Sequence, residues 1–407
     1  MDNSQTTTRA FAAAHPIFNR RLKVYGYDLE FRSGFEPLCE AAIQDGEGGD
    51  LCGIVDLEGL VGLAKAHVAF PRDLLVMDLP VLFPPETLIV GVPDAGADDW
   101  GLINACRRLV EVGYELAVSY PGTGTPGSPF LEFASIVRID ASNSCGNEQK
   151  KVCDELWGRG LHTLATNVTG AEAFNDAAGR GYWYFQGDFF RRPVIRPGKE
   201  IPVNKLHYLQ LLEEVNKPEL PLDELEGLIK QDVTMAFRLL RFINSAWFGL
   251  KTTVNSIRHA LVLLGPPEVR KWASMLVLSA LAEDKPEELF RRCLIRARMA
   301  ETVAPAIGME PRASELFLMG MFSLVDALTD IPLARVLSGL PLSKSIAMAL
   351  LAERGEFAPV HRLVSAYEQG RWGAFSQAAA LLGLEEGPMP GLFAAAREWA
   401  DAALQCM

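Results

Sequence analysis

The sequence predicts an α/β fold over its first half and an all-α fold over its second. Three observations carry this. Short β-type runs alternate with helical stretches up to about residue 190. A stretch rich in proline and arginine interrupts the chain at residues 189–202. Beyond it, apolar residues recur with the 3.6-residue period of a helix. At roughly 150 residues per domain, 407 residues leave room for two or three domains with full cores.

In the first half the predicted strands cover residues 22–31, 87–92, 115–119, 136–139 and 161–165, all rich in β-branched and aromatic residues or alternating in polarity. Helices are predicted between them at 100–112, 147–157 and 171–178. Each is followed by a glycine (Gly113, Gly158, Gly179), the residue that most readily takes the left-handed turn at a helix end. Repeated βα units imply parallel strands, in an open sheet or a (β/α) barrel, with chemistry beyond the C-terminal strand ends. Three prolines and four basic residues at 189–202 then read as an extended, solvated connector.

In the second half Leu222, Leu225, Leu228 and Ile229 line one helical face, and Val233, Ala236, Leu239, Leu240 and Ile243 line the next. Asp232, with Thr234 close by, is positioned to cap the second of these helices. Asn244-Ser245 is read as satisfying backbone groups where that helix ends. Further helices are expected at 257–264, 269–282, 286–307, 313–328, 342–352, 360–369 and 392–404. Arg291, Arg292, Arg296 and Arg298, with Glu287, Glu288 and Glu301, read as the wet face of an amphipathic helix.

Composition narrows the function classes. A hydrophobic share of 49% and a charged share of 22% are those of a globular chain. Acidic residues outnumber basic ones by 51 to 39, for a net charge of -12, which disfavours nucleic acid as a partner. No charge-free apolar run reaches the ~18 residues of a spanning helix. The polar start of the chain lacks the plan of a signal peptide. Seven cysteines form no C-x-x-C pair, and their odd number does not suit a disulfide framework. A cytoplasmic, reduced chain without a membrane segment is expected.

No local pattern announces catalysis. Asp28, Glu30, Asp94 and Asp140 are the acidic candidates near predicted strand ends, and they are scattered where a hard cation needs converging oxygens. The glycine-rich stretch at 121–127 lacks the Gly-Lys-Ser/Thr ending of a phosphate loop. The six histidines are isolated, with the nearest pair, His162 and His207, 45 residues apart.

Residues 15–32, from His15-Pro16 through Tyr27-Asp28-Leu29-Glu30 to Phe31-Arg32, resemble the opening of EAL domains, (β/α)-barrel phosphodiesterases that open cyclic di-GMP with Mg²⁺ or Mn²⁺. Gly122-Thr123-Gly124, Arg138-Ile139-Asp140 and Gln186-Gly187 are similar to three later family motifs, in the family's order. The departures fall on the family's metal ligands. Asp28 replaces the glutamate of the name motif, with Glu30 two residues on. Ala69 and Gly91 stand near an expected asparagine and glutamate. Ser119-Tyr120 replaces a metal-binding Asp-Asp pair, Arg138 replaces the lysine, and Thr166 and Thr169 stand where glutamates are usual.

The second half resembles the HDOD domain, a relative of HD phosphohydrolases without their catalytic set. The similarity runs through Ile201-Pro202, Ile229-Lys230-Gln231-Asp232, the stretch from Leu239 to Ala246, and Ile257-Arg258-His259-Ala260 with Leu263-Leu264-Gly265. Ser323-Leu324 falls where an active HD enzyme places His-Asp. The resemblances imply a polar tail at 1–10, an EAL-type barrel at 11–192, a linker at 193–202 and a helical HDOD domain at 203–407.

What they imply for function is a bacterial signal-transduction adaptor that is not an enzyme and holds neither metal nor cofactor. Its HDOD domain would bind protein partners, and its barrel would resemble those that form homodimers. The alternative is a cyclic di-GMP receptor. There Arg32 takes the place of a phosphate-contacting arginine, and Arg138 and Gln186 assist. A third reading has Asp28, Glu30 and Asp140 hold one metal for hydrolysis.

Overall fold

A computed structural model of the chain describes residues 10–38, 55–93, 99–120, 128–143, 146–195, 211, 213–215, 222–245, 253–340 and 342–406. Asp94, the glycine-rich stretch 121–127, His207, Ala246, residues 1–9 of the predicted tail and residues 196–202 of the predicted linker lie outside them.

Eight strands close into a barrel in chain order. They are β1 (Ala12–Asn19), β2 (Val24–Phe31), β3 (Lys65–Ala69), β4 (Leu88–Val92), β5 (Glu115–Tyr120), β6 (Ile136–Asp140), β7 (His162–Thr166) and β8 (Tyr184–Gln186). Neighbours from β2 to β8 pair parallel, as βα units require. The first strand departs from that expectation, running antiparallel to both β2 and β8. The reason is length. Only residues 20–23 connect β1 to β2, far short of the dozen or more that a parallel crossover needs. Asn19 pins this turn, its Oδ1 accepting from the backbone N–H of Arg21 (2.8 Å) and of Lys23 (3.1 Å).

Three strands escape sequence reading, each for a local reason. The run of β1, Ala-Ala-Ala-His-Pro, is made of residues depleted in strands. It is nonetheless extended because its pairing with β2 and β8 buries Ala12, Ala13 and Ala14 in the barrel wall. Strand β8 has only three residues, too few for a period to declare itself, and β3 reads Lys-Ala-His-Val-Ala, in which lysine and alanine are depleted in strands.

Outer helices buttress the strands: α1 (Leu57–Val61), α2 (Arg72–Val76), α3 (Trp100–Val112), α4 (Gly146–Gly158) and α5 (Ala171–Arg180). The side chain of Asp99 caps α3 by accepting from the N–H of Leu102 at 3.1 Å, and Leu102, Ile103, Ala105, Cys106 and Leu109 form its buried face. The left-handed helix-end glycines are Gly113, Gly160 and Gly181. Of the three predicted, only Gly113 holds that role, because α4 runs one residue and α5 two residues farther than their pattern indicated.

Side chains alternate across each strand, so the barrel interior fills in layers. At the N-terminal end Glu115 accepts from Lys65 Nζ at 2.7 Å and from the hydroxyl of Tyr25, whose ring stacks on Tyr184 at 4.3 Å. Ile17, Ile89, Ala117, Ile136 and Leu164 form the apolar layer above. One strand period further, at the C-terminal mouth, come His67, Gly91, Ser119 and Arg138.

The chain divides after Phe190, and Arg191 opens a helical unit. Its helices are α6 (Leu222–Gln231), α7 (Val233–Ile243), α8 (Ile257–Leu281), α9 (Glu287–Thr302), α10 (Ala313–Phe322), α11 (Val325–Thr329), α12 (Leu333–Ser338), α13 (Lys344–Ala352), α14 (Ala358–Glu368), α15 (Trp372–Leu382) and α16 (Met389–Cys406). Within this unit the N–H of Val194 donates to Asp330 Oδ1 at 2.9 Å, and Lys285 holds the same carboxylate at 2.6 Å. The start of the predicted solvated connector is therefore anchored.

Asp232 caps α7 as its position indicated, accepting from the N–H groups of Thr234 (2.8 Å) and Met235 (3.2 Å). Asn244 closes the same helix by donating to the carbonyls of Leu240 and Val254, each at 2.7 Å. Helix α8 is bent at Gly265 (φ 70°) before Pro266-Pro267, matching the two separate helices expected there. The 313–328 prediction divides into α10 and α11, while α12 and α15 had not been foreseen.

The arginine-rich segment is not a wet face. Arg292, Arg296 and Glu288 are at most 4% exposed, because α9 is enclosed by other helices. Burial is tolerated because each charge has a partner. Arg292 Nε donates to Glu288 Oε1 at 2.7 Å, and Arg296 Nη1 donates to Ser323 Oγ at 3.1 Å. Among the described residues no helix is long and apolar enough to cross a membrane.

Helices α9 and α10 approach through Gly320, where a Cβ would lie 2.5 Å from the carbonyl oxygen of Arg296 and 2.6 Å from the backbone of Ala297. Backbone cannot step aside as a flexible side chain can. Gly320→Ala is expected to destabilise the helical unit by about 1–3 kcal/mol, read as a lower urea midpoint at unchanged slope.

Candidate functional site

The layer at the C-terminal mouth is organised around one carboxylate. Asp28, in β2, is flanked by His67 from β3, which follows from the register Asp28↔His67. His67 Nδ1 lies 2.5 Å from Asp28 Oδ1, while Arg138 Nη2 (from β6) and Gln186 Nε2 (from β8) donate to Oδ2 at 2.9 and 2.7 Å. Four strands are thus tied to a single side chain. Arg138 Nη1 also lies 3.1 and 3.2 Å from the two nitrogens of the His67 ring.

The electrostatics assign the protonation states. Burial would raise the Asp28 carboxyl, but His67, Arg138 and the Gln186 hydrogen bond outweigh it and hold it well below the usual carboxylate range. Burial pushes the His67 imidazole down, and the adjacent guanidinium reinforces the shift against the pull of Asp28. A neutral ring with its proton on Nδ1 fits the contacts, donating to Asp28 and leaving Nε2 to accept from Arg138. The cluster is therefore an ion pair bridged by a neutral histidine. His67 owes its place to Gly91, where a Cβ would lie 2.7 Å from the ring Nε2 and 3.0 Å from Ala69 Cα.

Above the cluster opens a cavity of about 300 Å³, lined by Phe70, Pro71, Gly91, Pro93, Ser119 and Arg138 among others. This is the size at which small-molecule sites begin, and its walls are mainly apolar with one hydroxyl and one guanidinium.

Two of the three residues marked by resemblance, Arg138 and Gln186, meet here through Asp28. Arg32 is not among their partners in the contacts described. It lies four residues past Asp28, roughly 13 Å farther along an extended chain, with its guanidinium 5.2 Å from the Phe11 ring centre. Asp140 is engaged elsewhere, accepting from the N–H and hydroxyl of Ser142 (2.8 and 2.7 Å) and from Asn167 (3.0 Å). Glu30 is held by His15 at 3.2 Å. His67 was missed because β3 was missed. The alternation in Lys65-Ala66-His67-Val68-Ala69 was its one local signal, and it is short.

A divalent cation does not fit this donor set. Both oxygens of Asp28 already accept from protein donors, and a guanidinium stands where a metal would need further oxygens. Among the described residues no group of three or more His, Cys, Asp or Glu side chains converges as a metal site would.

Comparison with known proteins adds the following. Residues 201–371 match the HDOD domain. The chain is 28% identical over 391 residues to the cyclic di-GMP phosphodiesterase CdgJ of Vibrio cholerae serotype O1, spanning 93% of this chain and 90% of that protein. It is also 28% identical over 390 residues to the uncharacterized protein YuxH of Bacillus subtilis, spanning 93% and 95%. Among solved structures, an EAL domain protein from Listeria monocytogenes EGD-e aligns with 47% of this chain and 94% of its own, at 15% identity and a TM-score of 0.34.

The similarity to CdgJ corrects the expectation that this chain is not an enzyme, because a relative matched over nearly its whole length bears a phosphodiesterase's name.

Two outcomes test the cluster. Asp28 and His67 both have pKa values depressed by folding, so each contributes stability that is present above its unfolded pKa and lost as pH falls. The barrel is expected to lose melting temperature below about pH 6.5 as unfolded His67 takes up a proton, and again below about pH 4 through Asp28. His67→Gln should flatten the upper step. Gly91→Ala should displace the His67 ring and cost about 1–3 kcal/mol in denaturant unfolding.

Proposed function

We propose that this chain is a cyclic di-GMP signalling protein whose barrel mouth takes the dinucleotide and whose helical unit engages other proteins. The observation that carries the first part is the cavity of about 300 Å³ at the C-terminal strand ends, with Arg138 in its wall. Strand ends are where barrels of this kind bind their ligands. Apolar walls suit a base, and a guanidinium suits a phosphodiester. The similarity to CdgJ over 93% of the chain supports the choice of nucleotide.

The protein-binding part rests on the HDOD match and on Phe237, Val262 and Leu263, large apolar side chains of the packed helices α7 and α8 that are 49–62% exposed. A second copy of the chain is one partner this reading admits. Cys106, Cys153, Cys293 and Cys406 are free thiols, in keeping with a reducing, cytoplasmic setting.

Calorimetry of the full chain with cyclic di-GMP tests the central claim. Saturable binding is expected, weakened about ten- to hundredfold in Arg138→Ala through loss of a charge-assisted contact. Ser119→Trp, which fills the cavity while leaving Asp28, His67 and Arg138 themselves unsubstituted, should block it as well. The dinucleotide is followed by chromatography in the same samples with added Mn²⁺, so cleavage is read beside binding. Absence of heat at millimolar ligand, or undiminished binding in Ser119→Trp, would overturn the assignment of the mouth.

A further inference from the structure

Four charged side chains converge on a second cavity, about 170 Å³, built entirely from the helical unit. Glu268 and Lys271 come from α8, Arg298 and Glu301 from α9, and the remaining wall is Phe242, Met275 and Trp399. The charges alternate in space. Lys271 Nζ binds Glu268 Oε1 at 2.6 Å and also binds Glu301, and Glu301 Oε2 accepts from Arg298 Nη1 at 2.6 Å. Lys271 and Glu301 are each only 12% exposed. Burial works against the Lys271 ammonium, but the two carboxylates outweigh it and raise its pKa, so the cation persists at neutral pH.

This is an expensive way to build a core. Apolar residues of similar volume commonly stabilise as well as a buried ion network or better, and a void beside that network forfeits packing in addition. The lining states what would repay it. Donors and acceptors of opposite charge stand side by side, and each group type can make several hydrogen bonds: an ammonium has three N–H groups, a guanidinium five, and a carboxylate about four lone-pair sites. A ligand bearing one sign would meet repulsion from half of the set, and the paired carboxylates disfavour phosphate and nucleotides in particular. The volume lies well under the ~300 Å³ at which drug-sized sites begin.

We propose that the helical unit holds a binding site for a free α-amino acid with an apolar side chain. The carboxylate of the ligand lies toward Lys271 and Arg298, its ammonium toward Glu268 and Glu301, and its side chain against Phe242, Met275 and Trp399. The Arg298 guanidinium sits 5.7 Å from the Trp399 ring centre and the Lys271 ammonium 5.5 Å from that of Phe317, contacts that hold the two cations in place around the cavity. The site makes the helical unit a sensor of a metabolite chemically unrelated to a nucleotide.

The test is calorimetry and thermal unfolding of the full chain with L-leucine, L-methionine and L-phenylalanine, and with 3-methylbutylamine and 4-methylpentanoate, which each keep one charge of leucine. At least one amino acid should bind saturably and raise the melting temperature, with both single-charge analogues at least about tenfold weaker. Met275→Trp fills the cavity while leaving all four charges, and should abolish binding with the helical fold intact by circular dichroism. Lys271→Met should weaken binding about tenfold or more. The proposal is overturned if none of the three amino acids binds at 10 mM (about the weakest affinity worth assigning), if either analogue binds as tightly, or if Met275→Trp binds as the parent chain does.

Discussion

Everything at the barrel mouth depends on how the Asp28 carboxylate is held. A charge largely out of water is unstable unless its hydrogen-bonding capacity is filled, and here it is filled from three other strands. Arg138 supplies the countercharge, Gln186 an amide N–H, and His67 a neutral ring N–H. Because the donors come from β3, β6 and β8, the contact fixes the mutual placement of strands far apart in sequence. It also fixes the wall of the cavity, since Arg138 cannot reach Asp28 and swing freely into the mouth at once. Gly91 is the silent member of this set, for only hydrogen leaves room for the His67 ring.

The opposite end of the barrel is built on related chemistry with a different outcome. Glu115 binds Lys65 and Tyr25 beneath the apolar layer, and burial together with the neighbouring carboxylate drives the Tyr25 phenol far above its usual range. Its position at the N-terminal strand ends is where barrels invest in stability. Paired charges inside this chain are therefore not in themselves marks of function. Open volume adjoins Arg138 in the mouth and Lys271 among the helices.

The chain joins a closed eight-stranded barrel to a helical region that contains the HDOD match. Sites of this kind sit on scaffolds that serve many chemistries, so the fold alone does not specify an activity. The donor set at Asp28 is unlike a metal site, while a relative matched over almost the full length carries the name of a phosphodiesterase. The first concerns the local chemistry of the mouth, the second the kinship of the whole chain.

The sequence by itself determined the class of each half, because periods of two and of 3.6 residues are local properties written into neighbouring positions. It also determined caps such as Asp232 and Asn244, whose partners lie within ten residues, and it marked Arg138 and Gln186 through resemblance. What it left open was decided by contacts between residues distant in the chain. The strand at Ala12–Asn19 exists because its neighbours bury it, not because its residues prefer extension. Arg292 and Arg296 are internal because other helices surround α9. His67 becomes a member of the site only when β3 lies beside β2 and Gly91 makes room. Such facts are energies of pairing and burial, and they have no value until the fold has brought both partners together.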